Sequence, residues 1–375
     1  MGAESGGPTA DTTLSRVLGD RHAMIWPSNK PAWRVVVLKH LHKEEGTSPN
    51  QDVLERVDIA FLAHHAIADG ISGLSFHTSL MKNLPDISTT TSPPTWPMTF
   101  NEILDAPPAV EECVNCLSCA CTLCNASTAC QQQVWAGAGI TPELTASFKS
   151  MVRVVTVPAH RLGDILQRCK QSNVTLTGFL HALICDSLCR GIPQDQAGFR
   201  AVTPFSVRRH TGASDEDIVN HISFMTSYVP RARLNEIGRC ETGSASEEHA
   251  IIQLAESFSR DIATKVRQLP HGGMVMQLSR IQDLLSHCRN KSGKQRQYTY
   301  ELSNLGLTSN VVPPKGSGLK LEKVFFTQCG MVTGPAIGFN CVSVRGGPLT
   351  ISITWQQGVV EESLVEHVAR DLERI

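Results

Sequence analysis

The distribution of apolar residues along the chain predicts several buried strands. Valine, isoleucine, leucine and aromatic residues dominate "AWRVVVLKHL" (32–41), "VDIAFLAHH" (57–65) and "SMVRVVTVPAH" (150–160). Short runs of this composition are typical of strands with buried faces. Comparable runs, each predicted to form a strand, occupy 199–210 (where the strand ends in a turn), 298–306, 319–330, 336–347 and 349–357.

A second pattern, with apolar residues three and four positions apart, predicts helices between these strands. The first helix starts at Asp69, whose carboxylate can accept hydrogen bonds from the free amides of the first turn. One face of this helix carries Ile71, Leu74, Thr78 and Met81. Helices are also predicted on both sides of Ser172-Asn173, over 242–269 and over 360–375. Strands and helices interleave, which predicts an α/β fold with a mixed sheet.

The length of 375 residues favours two domains, and an irregular stretch suggests where they join. The proline-rich segment 91–99 and the cysteine-rich segment 113–130 lack either periodicity. We therefore predict a short N-terminal lobe over residues 1–140, whose part 91–140 is the connection, and a C-terminal lobe over 141–375.

Composition and charge exclude several classes of partner. The chain has 34 basic and 35 acidic residues, 41% hydrophobic and 18% charged residues, and a net charge of -1. This balance is that of a globular protein without the basic field that attracts nucleic acid or an anionic membrane. We expect no leader peptide, and no apolar run reaches the ~18 residues of a membrane span. The expected location is the cytoplasm, and the expected partner is a small molecule.

Six of the thirteen cysteines lie between Cys113 and Cys130, where two CxxC pairs raise the possibility of a zinc site. Zinc ribbons usually separate such pairs by ~15–20 residues, whereas four residues separate them here and no histidine is near. We favour an insertion without a metal-binding role, and we expect no metal in the functional site.

Two adjacent histidines, His64 and His65, end the second predicted strand, and Asp69 and Gly70 follow in "HHAIADG". Histidine, with an ordinary pKa near ~6.5, can accept a proton at cellular pH, as a general base must. An aspartate four residues later could cap the next helix or pair with an arginine. Spacing alone slightly favours a histidine pair that merely closes the strand, so both interpretations stand at this point.

The heptad "HHAIADG" resembles the HHxxxDG signature of the CoA-dependent acyltransferase superfamily. This superfamily includes chloramphenicol acetyltransferases, plant BAHD acyltransferases, condensation domains of nonribosomal peptide synthetases and fungal alcohol acetyltransferases. Other segments resemble the alcohol acetyltransferase branch in the same order, from about Trp33 to the C terminus. They are "ADGISGLSFHTSLMKNL", "NVTLTGFLHALICDSL", "VTPFSVRRH", "YELSNLG" and the closing strands and helix that begin at "GPAIGFN".

The resemblance implies two chloramphenicol-acetyltransferase-like lobes with mixed sheets and an active-site tunnel between them. His65 would be the general base, so that no acyl-enzyme is needed. Asp69, the second motif residue, would pair with Arg208, or alternatively Arg209, and hold the loop in shape. His64 and Gly70 would support the motif, Gly70 by permitting close backbone approach.

The resemblance also implies a donor for the oxyanion of the tetrahedral intermediate, for which Ser303 and Asn304 are the candidates. The alternative is that these two residues only form a turn after a strand. Acyl-CoA, in particular acetyl-CoA, would be a co-substrate, with no tightly bound cofactor. The acceptor would be a small alcohol or amine, and two lobes in one chain would allow a monomer.

The chain departs from the family pattern, because 63 residues precede the signature where members usually carry well over a hundred. We therefore expect an N-terminally shortened relative. Three hypotheses follow: an O-acyltransferase, plausible in secondary metabolism; a condensation-type enzyme that forms amides or esters; and a non-catalytic truncated paralogue. The remaining histidines that we considered receive no special role; they are His77, His160, His181, His210 and His221.

Overall fold

The computed structural model describes residues 10–43, 52–84, 133–193, 197–269 and 283–375. The predicted connection at 91–99 and the cysteine segment 113–130 lie outside the described residues. Whether the cysteine segment binds zinc is therefore not tested by the structure. No helix in the described part of the chain is both long and apolar enough to cross a membrane.

The N-terminal elements form a two-stranded antiparallel ribbon with two helices. These elements are α1 (Ala10–His22), β1 (Trp33–Lys43), β2 (Asp52–Ala63) and α2 (Gly70–Asn83). The register pairs Trp33 with Ala63, and it shifts at a bulge between His40 and Leu41. The start of α2 is as predicted: Asp69 is its N-cap and accepts a hydrogen bond from the Ser72 amide.

The second sheet has six strands in the order β3-β8-β7-β6-β4-β5. The strands are β3 (Ser150–Val157), β4 (Phe199–Ser206), β5 (Ile222–Val229), β6 (Tyr300–Thr308), β7 (Ile337–Val344) and β8 (Leu349–Gln356). The β4–β6 and β6–β7 pairs are parallel and the other pairs antiparallel, so the predicted mixed sheet is confirmed.

Eight further helices are interspersed with these strands in the described part of the chain. They are α3 (Pro142–Ala146), α4 (Ala159–Gln171), α5 (Leu176–Gly191), α6 (Arg208–Thr211), α7 (Arg231–Gly238), α8 (Ala245–Arg267), α9 (Leu284–Arg289) and α10 (Glu362–Arg374). The predicted break between α4 and α5 is confirmed, and Asn173 there has a positive φ of 53°. The helices α1, α3, α7 and α9 and the strand β5 had not been predicted, and the turn predicted after β4 is the short helix α6.

The two faces of the six-stranded sheet differ in polarity although both are buried. In β8, Ile351, Ile353 and their alternate neighbours face the apolar core beneath α5, α8 and α10. The residues between them are polar, and every residue of β8 is buried. The opposite face therefore presents Thr350, Ser352 and Thr354, whose burial requires a polar cover.

That cover is residues 319–330, which we call the crossing segment. The prediction of a strand there was wrong, since the segment forms no strand. Each of β6, β7 and β8 already has a partner on both sides, so the segment passes over the face of the sheet. It is bonded to polar side chains instead: Thr350 Oγ1 donates to the Val324 carbonyl, and the Gly330 amide donates to Ser150 Oγ.

Candidate active site

The loop after β2 holds His65 by hydrogen bonds at several points. The His64 amide donates to the Ala32 carbonyl at 2.8 Å, and the Asp69 amide donates to the Val219 carbonyl at 3.1 Å. The Asn220 side-chain amide donates to the His65 carbonyl. The loop is thus fastened both to the N-terminal ribbon and to the segment that precedes β5.

The hydrogen bond of the His65 ring defines its tautomer. Nδ1 lies 2.9 Å from the Ala68 carbonyl oxygen, which can only accept, so Nδ1 carries the proton. Nε2 then has a free lone pair, as a general base requires. The residue is exposed to solvent, so a substrate can reach this nitrogen. The predicted tunnel around it stays a prediction.

Asp69 and Arg208 form a buried ion pair beside this loop. Arg208 Nη2 lies 2.8 Å from Asp69 Oδ1, and the two side chains are 2% and 1% exposed. The second carboxylate oxygen accepts from the His221 amide at 3.2 Å. Arg208 also donates to the Ser214, Asp217 and Val219 carbonyls. The Asp69 carboxylate is therefore bound to Arg208, while the His65 ring is bound to a backbone carbonyl.

The other supporting residues of the motif have separate contacts. His64 Nδ1 accepts from the Ala66 amide at 3.1 Å, which is a contact within the loop. A Cβ atom on Gly70 would lie 2.6 Å from Leu305 Cδ2 and 3.1 Å from the Phe326 ring. Glycine at this position therefore permits α2 to approach β6 and the crossing segment closely. The alternative arginine, Arg209, is exposed.

The structure separates the two candidate oxyanion donors. Asn304 Nδ2 donates to Thr177 Oγ1 at 3.1 Å, and its Oδ1 accepts from the Gly306 amide at 2.8 Å. Its amide thus points toward the start of α5, and the role of Asn304 as an oxyanion donor stays a prediction. Ser303 is buried on the opposite face, which is the face that α2 approaches. Its role stays a prediction.

Glu301 is a charged residue at this site that the sequence analysis missed. It is 8% exposed, and its Oε1 accepts from Gln328 Nε2 at 2.8 Å. Burial raises the pKa of this carboxyl, while the hydrogen bond from Gln328 and the charge of His65 lower it. The signal in the sequence was the alternation of "YELSNLG", which puts Glu301 and Ser303 on one face.

Comparison with known proteins shows the family of the chain. A family model described as alcohol acetyltransferase matches residues 5–368. Probable alcohol acetyltransferase FCK4 of Fusarium pseudograminearum is 29% identical, over 98% of this chain and 75% of that protein. Probable alcohol acetyltransferase crmB of Aspergillus fumigatus is 24% identical, over 96% of this chain and 75% of that protein.

Solved structures share the fold. TRI3 trichothecene 15-O-acetyltransferase from Fusarium sporotrichioides matches with a TM-score of 0.62 and 15% identity, over 98% of this chain and 74% of that chain. The EpoB cyclization-docking bidomain from Sorangium cellulosum matches with a TM-score of 0.55 and 12% identity, over 98% of this chain and 66% of that chain. The predicted fold class is confirmed. Because the family model covers nearly the whole chain, the protein belongs to the alcohol acetyltransferase family.

Proposed function

We propose that the protein transfers an acyl group, in particular acetyl, from acyl-CoA to a hydroxyl group of a small-molecule alcohol. The observation that carries this proposal is the His65 ring. Its Nδ1 proton is engaged by the Ala68 carbonyl, and its Nε2 lone pair is available on an exposed side chain. Membership of the alcohol acetyltransferase family supports the same reaction.

In the proposed mechanism, His65 Nε2 removes the proton of the acceptor hydroxyl as its oxygen attacks the thioester carbonyl carbon. A carbon–oxygen bond forms, and the carbonyl oxygen becomes an oxyanion. When the intermediate collapses, the carbon–sulfur bond breaks, and His65 returns its proton to the departing thiolate of CoA. Ser303 is our candidate donor to the oxyanion, because it lies on the sheet face that α2 approaches.

Asp69 and Arg208 have a supporting part in this mechanism. Their ion pair fixes the start of α2 and the segment before β5, and the His65 loop is bonded to both.

We further propose a monomer that acts in the cytoplasm, with lobes 1–140 and 141–375, no tightly bound cofactor and a place in secondary metabolism. The fungal relatives are named probable alcohol acetyltransferases, which fits the proposed acetyl transfer.

The test is a thiol-release assay with the purified protein, acetyl-CoA and a panel of alcohols. We expect free CoA to appear only with an acceptor, and His65→Ala to lower the rate by ~10²–10⁴-fold, as for loss of a general base. The control is His160→Ala, which removes an exposed histidine on α4.

The assay also separates the competing hypotheses. Turnover only with carrier-protein thioesters would favour a condensation-type enzyme. CoA binding without turnover on any acceptor would favour a non-catalytic paralogue. A folded His65→Ala variant with an unchanged rate would refute the role of His65.

A further inference from the structure

The carboxyl group of Glu301 lies on the polar face of the six-stranded sheet. Its neighbours in β6, Tyr300 and Leu302, are fully buried in the apolar core beneath the helices. Strand alternation turns Glu301 to the opposite face, together with Ser303 and Leu305. A buried acid on this face needs polar partners, and the contacts of its side chain show which ones it has.

Uncharged amides hold Glu301 on one side. Gln328 Nε2 donates to Glu301 Oε1 at 2.8 Å and to Asn340 Oδ1 at 3.0 Å. Asn340 Nδ2 in turn donates to the Ser352 carbonyl at 3.2 Å. Among the described residues, no lysine or arginine forms an ion pair with Glu301. The network therefore orients the carboxyl group without neutralising a charge on it.

The start of α2, which directly follows the His65 loop, packs on this same face. Gly70 contacts Leu305, which shares the face with Glu301, and Phe326, which precedes Gln328 by two positions in the crossing segment. The two groups also interact electrostatically, since a positive charge on His65 lowers the pKa of Glu301 against the larger effect of burial. The carboxyl group of Glu301 and the start of α2, which follows the His65 loop, thus lie on the same face of the sheet.

We propose that Glu301 is a positioning residue that compensates the positive charge formed on His65 when it accepts the hydroxyl proton. This inference rests on the proposed acyl transfer. The motif carboxylate is not available for this task, because Asp69 is already neutralised by Arg208. The interaction is reciprocal: a cation on His65 favours ionised Glu301, and ionised Glu301 favours the cation.

Other charged groups near the motif loop are accounted for. The Asp69–Arg208 pair lies at the end of the loop, and the backbone groups of Asp217 and His221 contact that pair from the segment before β5. His64 belongs to the loop itself, and Cys329 lies beside Glu301 on the crossing segment. Glu301 interacts with the charge of His65, and among the described residues no arginine or lysine forms an ion pair with it.

The test replaces Glu301 by glutamine, which has the same shape and no charge. We expect Glu301→Gln to lower kcat roughly tenfold, with the KM for acetyl-CoA little changed. The acidic limb of the rate profile should move to lower pH by roughly one unit, because loss of the carboxylate makes the imidazolium less stable. Glu301→Asp should restore part of both effects. Glu256→Gln, on the exposed side of α8, is the matched control.

A second readout needs no turnover. The His65 ring can be titrated by NMR, with its signal among the 14 histidines assigned by comparison with His65→Gln. We expect a lower midpoint in Glu301→Gln than in the wild type. If the wild type has no activity but this shift occurs, the proposed function fails and the pairing stands. If a folded Glu301→Gln keeps both the midpoint and the rate, the inference is overturned. Should Glu301→Gln not fold, an unchanged midpoint in Glu301→Asp overturns it.

Discussion

At the scale of single residues, Arg208 compensates the charge of Asp69. Both side chains are almost fully buried, and Arg208 Nη2 approaches Asp69 Oδ1 to 2.8 Å. Removing one member of such a pair leaves the other charge buried without a counter-ion, which costs about 3–5 kcal/mol. The pair therefore stabilises the shape of the loop, and its loss should be visible in the folding equilibrium as well as in the rate.

We expect Asp69→Asn to lower the free energy of unfolding by about 3–5 kcal/mol in urea denaturation. Arg208→Met should have a loss of the same order, since it leaves Asp69 uncompensated. The double variant should be more stable than the sum of the two losses implies, because neither charge then remains alone. Strictly additive losses would contradict a coupled pair.

The motif residues could be predicted from the sequence because they are contiguous, whereas the contacts of Glu301 and Asn304 could not. The direction of a strand side chain depends on register, and the β6–β7 register shifts between Asn304 and Leu307. The amide of Asn304 therefore points to Thr177, while Glu301 lies on the face that the motif loop approaches. A sequence segment shows which residues alternate, but only the assembled sheet shows which face meets the site.

At the scale of elements, helices with local signals were predictable and sheet membership was not. The break between α4 and α5 follows from Asn173, and the start of α2 from the Asp69 cap. The crossing segment has the composition of a strand but forms none. Whether such a run joins a sheet depends on a free strand edge, and β6, β7 and β8 have none.

The contact between α2 and β6 leads to a prediction for Gly70. A Cβ atom there would lie 2.6 Å from Leu305 Cδ2, so Gly70→Ala should displace the start of α2. We expect a loss of about 1–3 kcal/mol in the free energy of unfolding, as for overpacking, together with a lower kcat. Urea denaturation and the thiol-release assay measure the two effects.

A second substitution distinguishes overpacking from a backbone effect. Leu305→Ala in the Gly70→Ala background removes the clashing atom, and it should restore part of the rate. If the double variant is no more active than Gly70→Ala alone, contact with Leu305 is not the reason for glycine at this position.

At the scale of the whole molecule, residues from the first predicted lobe pack on the sheet of the second. A Cβ atom on Gly19 of α1 would lie 2.6 Å from the Ser150 carbonyl oxygen at the start of β3. Asp11 of α1 also pairs with Lys323 of the crossing segment. The α/β class was predictable from interleaved patterns, but these long-range contacts and the strand order were not, because they join segments far apart in the chain.

The core beneath the sheet couples the stability of the whole molecule to pH through His181. The side chain is fully buried, with Nδ1 2.9 Å from Tyr300 Oη and Nε2 2.9 Å from Thr203 Oγ1. Burial lowers the pKa of His181 from 6.5 to about 3. Between pH 6.5 and about 3, His181 is therefore neutral in the folded protein and protonated in the unfolded chain.

Because the unfolded state binds more protons, the free energy of unfolding should fall as pH decreases from 6.5 toward 3. The fall is about 1.4 kcal/mol per pH unit for one such group. We expect His181→Gln to reduce the difference in unfolding free energy between about pH 7.5 and about pH 5, measured by urea denaturation. A smaller difference should remain in His181→Gln, because burial also lowers the pKa of His22 to about 4. The control is His160→Gln, an exposed residue, which should leave this difference unchanged. If His181→Gln and the wild type show the same difference, His181 does not remain neutral in the folded protein.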